Sequence, residues 1–156
     1  MERTFKTLLV TGGAGFIGSN LIRYLFEKGG FEGRIVNLDN LTYAGNPESI
    51  DDIYRLHGGK RYFFEKADIC DRPAVEAIFT KHAPDAVVHL AAESHVDRSI
   101  LGPEAFIRTN VIGTYTLLDV AMKAWKGRDD VLFHHVSTDE VFGSLGDSGY
   151  FTETTA

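Results

Sequence analysis

The sequence predicts an α/β fold, a doubly wound parallel sheet with strand order 3-2-1-4-5. Short apolar runs alternate with longer stretches of helical periodicity along the whole chain. The runs KTLLVT, RIVNLD and DAVVHLAA are too uniformly apolar to leave one face wet, so both faces of the sheet must be covered. A glycine-rich turn, TGGAGFIG, separates the first apolar run from the first helical pattern.

Taken in order, KTLLVT (6–11) is the first strand and FIGSNLIRYLFEKGG (16–30) the first helix. RIVNLD (34–39) is the second strand, and NLTYAGNP (40–47) is a loop by its Gly and Pro. SIDDIYRLHGG (49–59) reads as a short helix and RYFFEKAD (61–68) as the third strand. Asp71 is placed to cap a helix over DRPAVEAIFTKH (71–82). DAVVHLAA (85–92) is the fourth strand and leads into a loop, ESHVD. GPEAFIRTNVIGTYTLLDVAMKAW (102–125) is a long, mostly apolar helix interrupted at Asn110 and Gly113. DVLFHHVST (130–138) is the fifth strand, with VLFHHV expected to be buried. The chain shows no internal repeat and no linker.

A length of 156 residues fits one domain that buries roughly 70% of its unfolded surface. The net charge of −6, with no basic cluster, argues against a nucleic-acid partner. It leaves room for a phosphate-bearing small molecule held by backbone N–H groups. Cys70 is the lone cysteine, so no internal disulfide can form. The apolar run near the N-terminus is too short for a signal-peptide core or a membrane span, and a cytoplasmic protein without a membrane partner is expected.

In such a sheet ligands sit beyond the carboxyl ends of the strands, at the switch between the first and fourth. The glycine turn, the HLAAESHVD segment and the STDE run all fall at such ends. Gly12 permits the tight turn, Gly15 lets the backbone approach a pyrophosphate, and Gly18 lets helix and strand pack closely. Asp39 ends the second strand, where a carboxylate accepts hydrogen bonds from a ribose diol and repels a 2′-phosphate. Asn40 beside it adds no positive charge, so a dinucleotide is expected and NAD is favoured over NADP.

Asp139 and Glu140 put adjacent carboxylates at the end of an expected buried strand, which costs several kcal/mol unless the groups are paired. An acid kept protonated beside a base explains such a pair, because burial and a like charge both favour one neutral member. The plainer alternative is a strand end followed by a helix cap, with Asp139 capping and Glu140 solvated. His134 and His135 are strand neighbours and cannot both face one metal, and no other spacing suggests a metal site. His89 reads as a packed core residue, Trp125 as packing at a helix end, and Asn110 as a satisfied polar group shaping its helix. His95 and Asp97 are placed to touch substrate, and Arg98 to meet a phosphate or an acid.

With TGGAGFIG, LDNLTYAG, ADICD, LAAESHVDRSI and STDEVFG in this order, nearly the whole chain resembles the nucleotide-sugar branch of the extended short-chain dehydrogenases. TGGAGFIG is shared widely in that branch, whereas AAESHVDRS together with STDE is similar to the dTDP-glucose 4,6-dehydratases. The resemblance implies an NAD-dependent lyase of deoxysugar biosynthesis. Such an enzyme oxidises C4 of dTDP-glucose, eliminates water across C5 and C6, and returns the hydride to C6.

The resemblance places Gly12, Gly15, Phe16, Ile17 and Gly18 in the cofactor turn and Asp39, Asn40, Leu41 and Thr42 around the adenosine ribose. Asp68 and Ile69 would flank the adenine. Leu90, Ala91, Ala92, Glu93 and Ser94 would run along the nicotinamide half, with Ser94 also near the sugar and Thr109 supporting the cofactor. Thr138 would bind the 4-oxygen of the substrate, Asp139 would be the general acid and Glu140 the general base. Phe142 stands where the family usually has Tyr. The family's catalytic Tyr-x-x-x-Lys is expected beyond Ala156, and Tyr150, followed by Thr154 at that spacing, cannot replace it. Residues 1–156 are therefore expected to be an incomplete NAD-binding domain that lacks its C-terminal substrate domain and is inactive alone. The family usually forms homodimers through the helix near 103–125. A nucleotide-sugar 4-epimerase and a non-catalytic dinucleotide-binding module remain the rival readings, and UDP-glucose the rival substrate.

Overall fold

The computed structural model describes residues 4–146 and 148–155. Ala156, where the incomplete domain was expected to break off, lies outside the described residues. One parallel sheet holds β1 (Thr7–Thr11), β2 (Arg34–Asp39), β3 (Tyr62–Lys66), β4 (Ala86–His89) and β5 (Leu132–His135), in the order β3-β2-β1-β4-β5. This is the predicted order, and the fold is Rossmann-like. The helices are α1 (Phe16–Glu27), α2 (Asp51–His57), α3 (Arg72–His82), α4 (Val96–Leu101), α5 (Pro103–Phe106) and α6 (Thr114–Ala124).

Successive side chains of a strand point to opposite faces, and here each face finds its own core. Leu8, Val10 and Ile35 pack with Ile22 of α1 and Ile53 of α2. Leu9, Val36 and Val87 pack with Phe79 of α3 and Leu117 of α6 on the other side. β1 sits in the middle, its Leu9 opposite Val36 and Val87. The Asp71 carboxylate accepts from Ala74 N–H at 3.2 Å, which caps α3 as the sequence predicts. Trp125 is buried beyond the end of α6 and donates its indole N–H to Pro84 O at 2.8 Å.

Several boundaries differ from the sequence reading. β4 ends at His89 rather than Ala92, and the expected loop after it contains the short helix α4. The helix expected over 102–125 is α5 and α6 joined by a seven-residue π-helical turn, Ile107–Gly113. Gly113 faces Ile69 so closely that a Cβ there would lie 2.5 Å from its Cδ1. β5 is not a buried strand. It is an outer strand that pairs with β4 alone among the described residues, and only Phe133 is even partly covered. VLFHHV is apolar enough for a core, but in this outer position Leu132, His134, His135 and Val136 are exposed.

Candidate active site

A cleft of about 850 Å³ opens at the carboxyl ends of the strands, over the junction of β1 and β4. Its floor is the glycine turn. Gly12 has φ +71°, and a Cβ there would lie 2.8 Å from Ala91 N, so neither the conformation nor the space admits a side chain. A Cβ on Gly18 would come within 2.3 Å of Gly12 O, so α1 can lie this close to the turn only with glycine. Gly15 caps α1 without any side-chain hydrogen bond, which leaves the first N–H groups of the helix open to an anion in the cleft.

Asp39 is nearly buried and already oriented. Its Oδ2 accepts from Ala14 N–H at 2.9 Å and its Oδ1 from Leu41 N–H at 2.8 Å. These bonds fix the carboxylate at the edge of the cleft beside Asn40 and Thr42. Leu41, between these residues, does not itself line the cleft. Its φ of +55° aims its N–H at Asp39, and its side chain packs toward Gly45. Asp68 and Ile69 form another wall together with Ala67.

The segment Leu90–Ser94 lines the opposite wall, with Thr109 and Asn110 beside it. Asn110 fills the role the sequence suggests for it. Its Oδ1 accepts from Glu93 N–H and its Nδ2 donates to Glu93 O, both at 2.8 Å. This two-way clamp holds the segment against the π turn, a geometry that recurs at functional sites. The cleft also includes Thr114, Ser99, Phe106, Ala44 and His135, which the motifs did not single out.

At the mouth, Thr138 caps a 3₁₀ turn, Asp139–Phe142. Its hydroxyl donates to Asp139 Oδ1 at 3.2 Å and accepts from Glu140 N–H at 3.4 Å. Thr138 and Glu140 line the cleft, whereas Asp139 does not. The backbone leaves strand geometry after His135, as the adjacent carboxylates require. The expectation that they are buried is corrected, since Asp139 and Glu140 are both exposed. The cap is Thr138, not Asp139 as the plainer alternative had it.

His95, the N-cap of α4, and Asp97 on it are exposed and outside the cleft, and Arg98 lies 3.8 Å from the Tyr43 ring centroid with no ion pair among the described residues. Burial and the neighbouring Asp68 carboxylate push the Cys70 thiol up to about 11, so it is no nucleophile near neutral pH. No cluster of His, Cys, Asp or Glu suited to a metal occurs among the described residues. Tyr24–Lys28 and Tyr62–Lys66 happen to have the Tyr-x-x-x-Lys spacing, but neither pair lies at the cleft. Among the described residues no helix is long and apolar enough to cross a membrane.

Comparison with known proteins agrees with this geometry. The dTDP-glucose 4,6-dehydratase 1 of Escherichia coli K12 is 52% identical over 96% of this chain, which corresponds to 44% of that protein. The Neisseria gonorrhoeae dTDP-glucose 4,6-dehydratase is 51% identical, again over 96% of this chain and 44% of its own length. The chain thus spans less than half the length of these curated relatives. A Streptomyces venezuelae dTDP-glucose 4,6-dehydratase solved with NAD among its ligands superposes with a TM-score of 0.83 at 45% identity, covering 96% of this chain and 44% of that one. A UDP-glucose 4-epimerase from Thermotoga maritima is more distant, at 32% identity and a TM-score of 0.74, with 91% and 41% covered. The family described as GDP-mannose 4,6 dehydratase matches residues 9–156, and the chain belongs to that family.

Proposed function

We propose that this chain forms the NAD-binding and acid–base part of a dTDP-glucose 4,6-dehydratase, a cytoplasmic lyase that acts at the relatives' full length. The observation that carries this reading is one cleft that joins the glycine turn and Asp39 to Thr138 and Glu140. Closer likeness to dehydratases than to the epimerase supports the same choice.

The residues present fit the cofactor. The uncapped start of α1 would take the pyrophosphate, Asp39 with Asn40 and Thr42 the adenosine ribose, and Asp68 and Ile69 the adenine. Leu90–Ser94 and Thr109 would hold the nicotinamide half. When bound, NAD would supply the redox chemistry, as acceptor of a hydride from C4 and its donor at C6. Thr138 would bind the 4-oxygen and Ser94 would contact the sugar. A C4 carbonyl makes the C5 proton acidic, and Glu140 takes that proton. The C5 electron pair then forms the C5–C6 double bond as the C6–O bond breaks, and Asp139 protonates the leaving hydroxyl to water. Positioned proton transfers of this kind are each worth ~10²–10⁴-fold. Asp139 lies between the cleft residues Thr138 and Glu140, and its carboxylate accepts from the Thr138 hydroxyl.

The reading also includes a homodimer. Ile107, Val111, Tyr115, Leu118 and Met122 form an exposed apolar stripe along the π turn and α6. Such a stripe is suited to helix–helix burial.

A protein of the relatives' length carrying this sequence is expected to convert dTDP-glucose to the 4-keto-6-deoxy product. Conversion of UDP-glucose to its C4 epimer, with no keto product, would place it with the epimerases instead. Binding of NAD without any turnover would favour the non-catalytic module.

A further inference from the structure

We propose that His89 is a positioning residue locked in its neutral Nε2–H tautomer, and that it makes the Thr114 hydroxyl a fixed hydrogen-bond donor facing the cleft. His89 is buried at the end of β4. Its Nδ1 lies 2.6 Å from Thr11 Oγ1 at the end of β1, and its Nε2 lies 2.9 Å from Thr114 Oγ1 at the start of α6.

Counting hydrogens decides which atoms donate. Thr11 Oγ1 already receives the Ala91 N–H and shares the Leu90 N–H with the Thr11 carbonyl oxygen, all at 3.2 Å. A hydroxyl oxygen has two lone pairs, so the 2.6 Å contact is Thr11 O–H donating to His89 Nδ1. The reverse would crowd three donors on one oxygen and leave the buried Thr11 hydroxyl proton without an acceptor, which folded proteins avoid. The ring proton therefore sits on Nε2 and is donated to Thr114 Oγ1. Burial, and then the charge of neighbouring His135, push the His89 pKa down to about 4, so the ring stays neutral.

Thr114 lines the cleft just past the π turn. With His89 donating to its oxygen, its own O–H has no acceptor within the hydrogen bonds of the described residues. It is left to meet an acceptor oxygen of a ligand, such as a carboxamide, hydroxyl or ketone oxygen. The relay also ties together three elements that meet at the nucleotide turn, namely β1, β4 and α6. The ligand-facing role of Thr114 rests on the NAD reading above, whereas the state of His89 does not.

Two measurements test this. In the chain labelled with ¹⁵N at histidine, long-range ¹H–¹⁵N spectra at neutral pH should show His89 with a bare Nδ1 and a protonated Nε2. An Nδ1–H ring or a charged ring would overturn the relay. By calorimetry, Thr114→Val should bind NAD about tenfold more weakly, the loss of one hydrogen bond, whereas Thr114→Ser should bind as the unaltered chain does. Equal affinity of Thr114→Val and the unaltered chain would overturn the donor role. If Thr114→Val does not fold, Thr114→Ala carries the same comparison. Failure of the unaltered chain to bind NAD would sink the cofactor reading together with the ligand-facing role of Thr114, while the ring spectrum would still decide the state of His89.

Discussion

Asp39 is held by two backbone N–H groups of its own neighbourhood, so its carboxylate serves the fold as well as any ligand. Asp39→Ala should therefore cost about 1–3 kcal/mol of stability, read from urea unfolding, by leaving Ala14 and Leu41 N–H groups unpaired. It should also narrow the preference for NAD over NADP in calorimetric titrations, because the repulsion of a 2′-phosphate is gone. The roles proposed for the two carboxylates of STDE can be told apart. In a protein of the relatives' length, Glu140→Gln should stop exchange of the C5 proton for deuterium and let a 4-keto-glucose form accumulate. Asp139→Asn should allow that exchange but slow loss of the 6-hydroxyl. Neighbouring carboxylates shift one another, so the separation is expected to be incomplete but its order preserved. His89 predicts a pH dependence whose sign follows from its low pKa. The unfolded chain binds a proton near pH 6.5, and the folded chain only near 4. Stability is thus complete above the unfolded value and is lost as pH falls through that window, by ~3 kcal/mol in all. Urea unfolding at pH 7 and 4.5 should show a smaller drop in His89→Gln than in the unaltered chain.

At the scale of elements, the strand order was legible because uniform apolar runs and a glycine turn leave few ways to cover a sheet. The turn itself was legible because its glycines answer to local sterics. The π turn was visible only as an oddity at Asn110 and Gly113, since Asn110 within it pairs with Glu93, seventeen residues away. α4 was missed because Val96–Leu101 is too short to show helical periodicity against a polar loop. The predicted order already puts β5 at an edge, so expecting VLFHHV to be buried followed its apolar character over its place in the sheet. The place of Leu41 depends on a backbone turn with positive φ that no residue type announces. Removing the clamp with Asn110→Ala should cost about 1 kcal/mol, because Asn110 is exposed and water can replace it in part. Hydrogen exchange over residues 90–95 should rise in that variant, while the amides of β1 keep their protection.

Two surfaces of the described residues compete to explain any self-association, the apolar stripe of the π turn and α6 and the edge of β5 that meets no strand among them. Leu118→Lys should shift sedimentation profiles toward monomer if the stripe governs the dimer, whereas Leu132→Lys should do so only if the edge governs. The parallel sheet has a further consequence in time. Every neighbour in it is reached through a long crossover, and the N-terminal strand lies at its centre. Lys6 and Thr7 donate their N–H groups to the Asp85 carboxylate at 2.8 and 2.9 Å, so β1 gains these partners only after some eighty residues have followed it. At about 5–20 residues per second of synthesis, this strand waits several seconds on the ribosome with one side bare. Such a topology favours slow refolding on the millisecond-to-second scale. It also places the greatest risk of misfolding on β1.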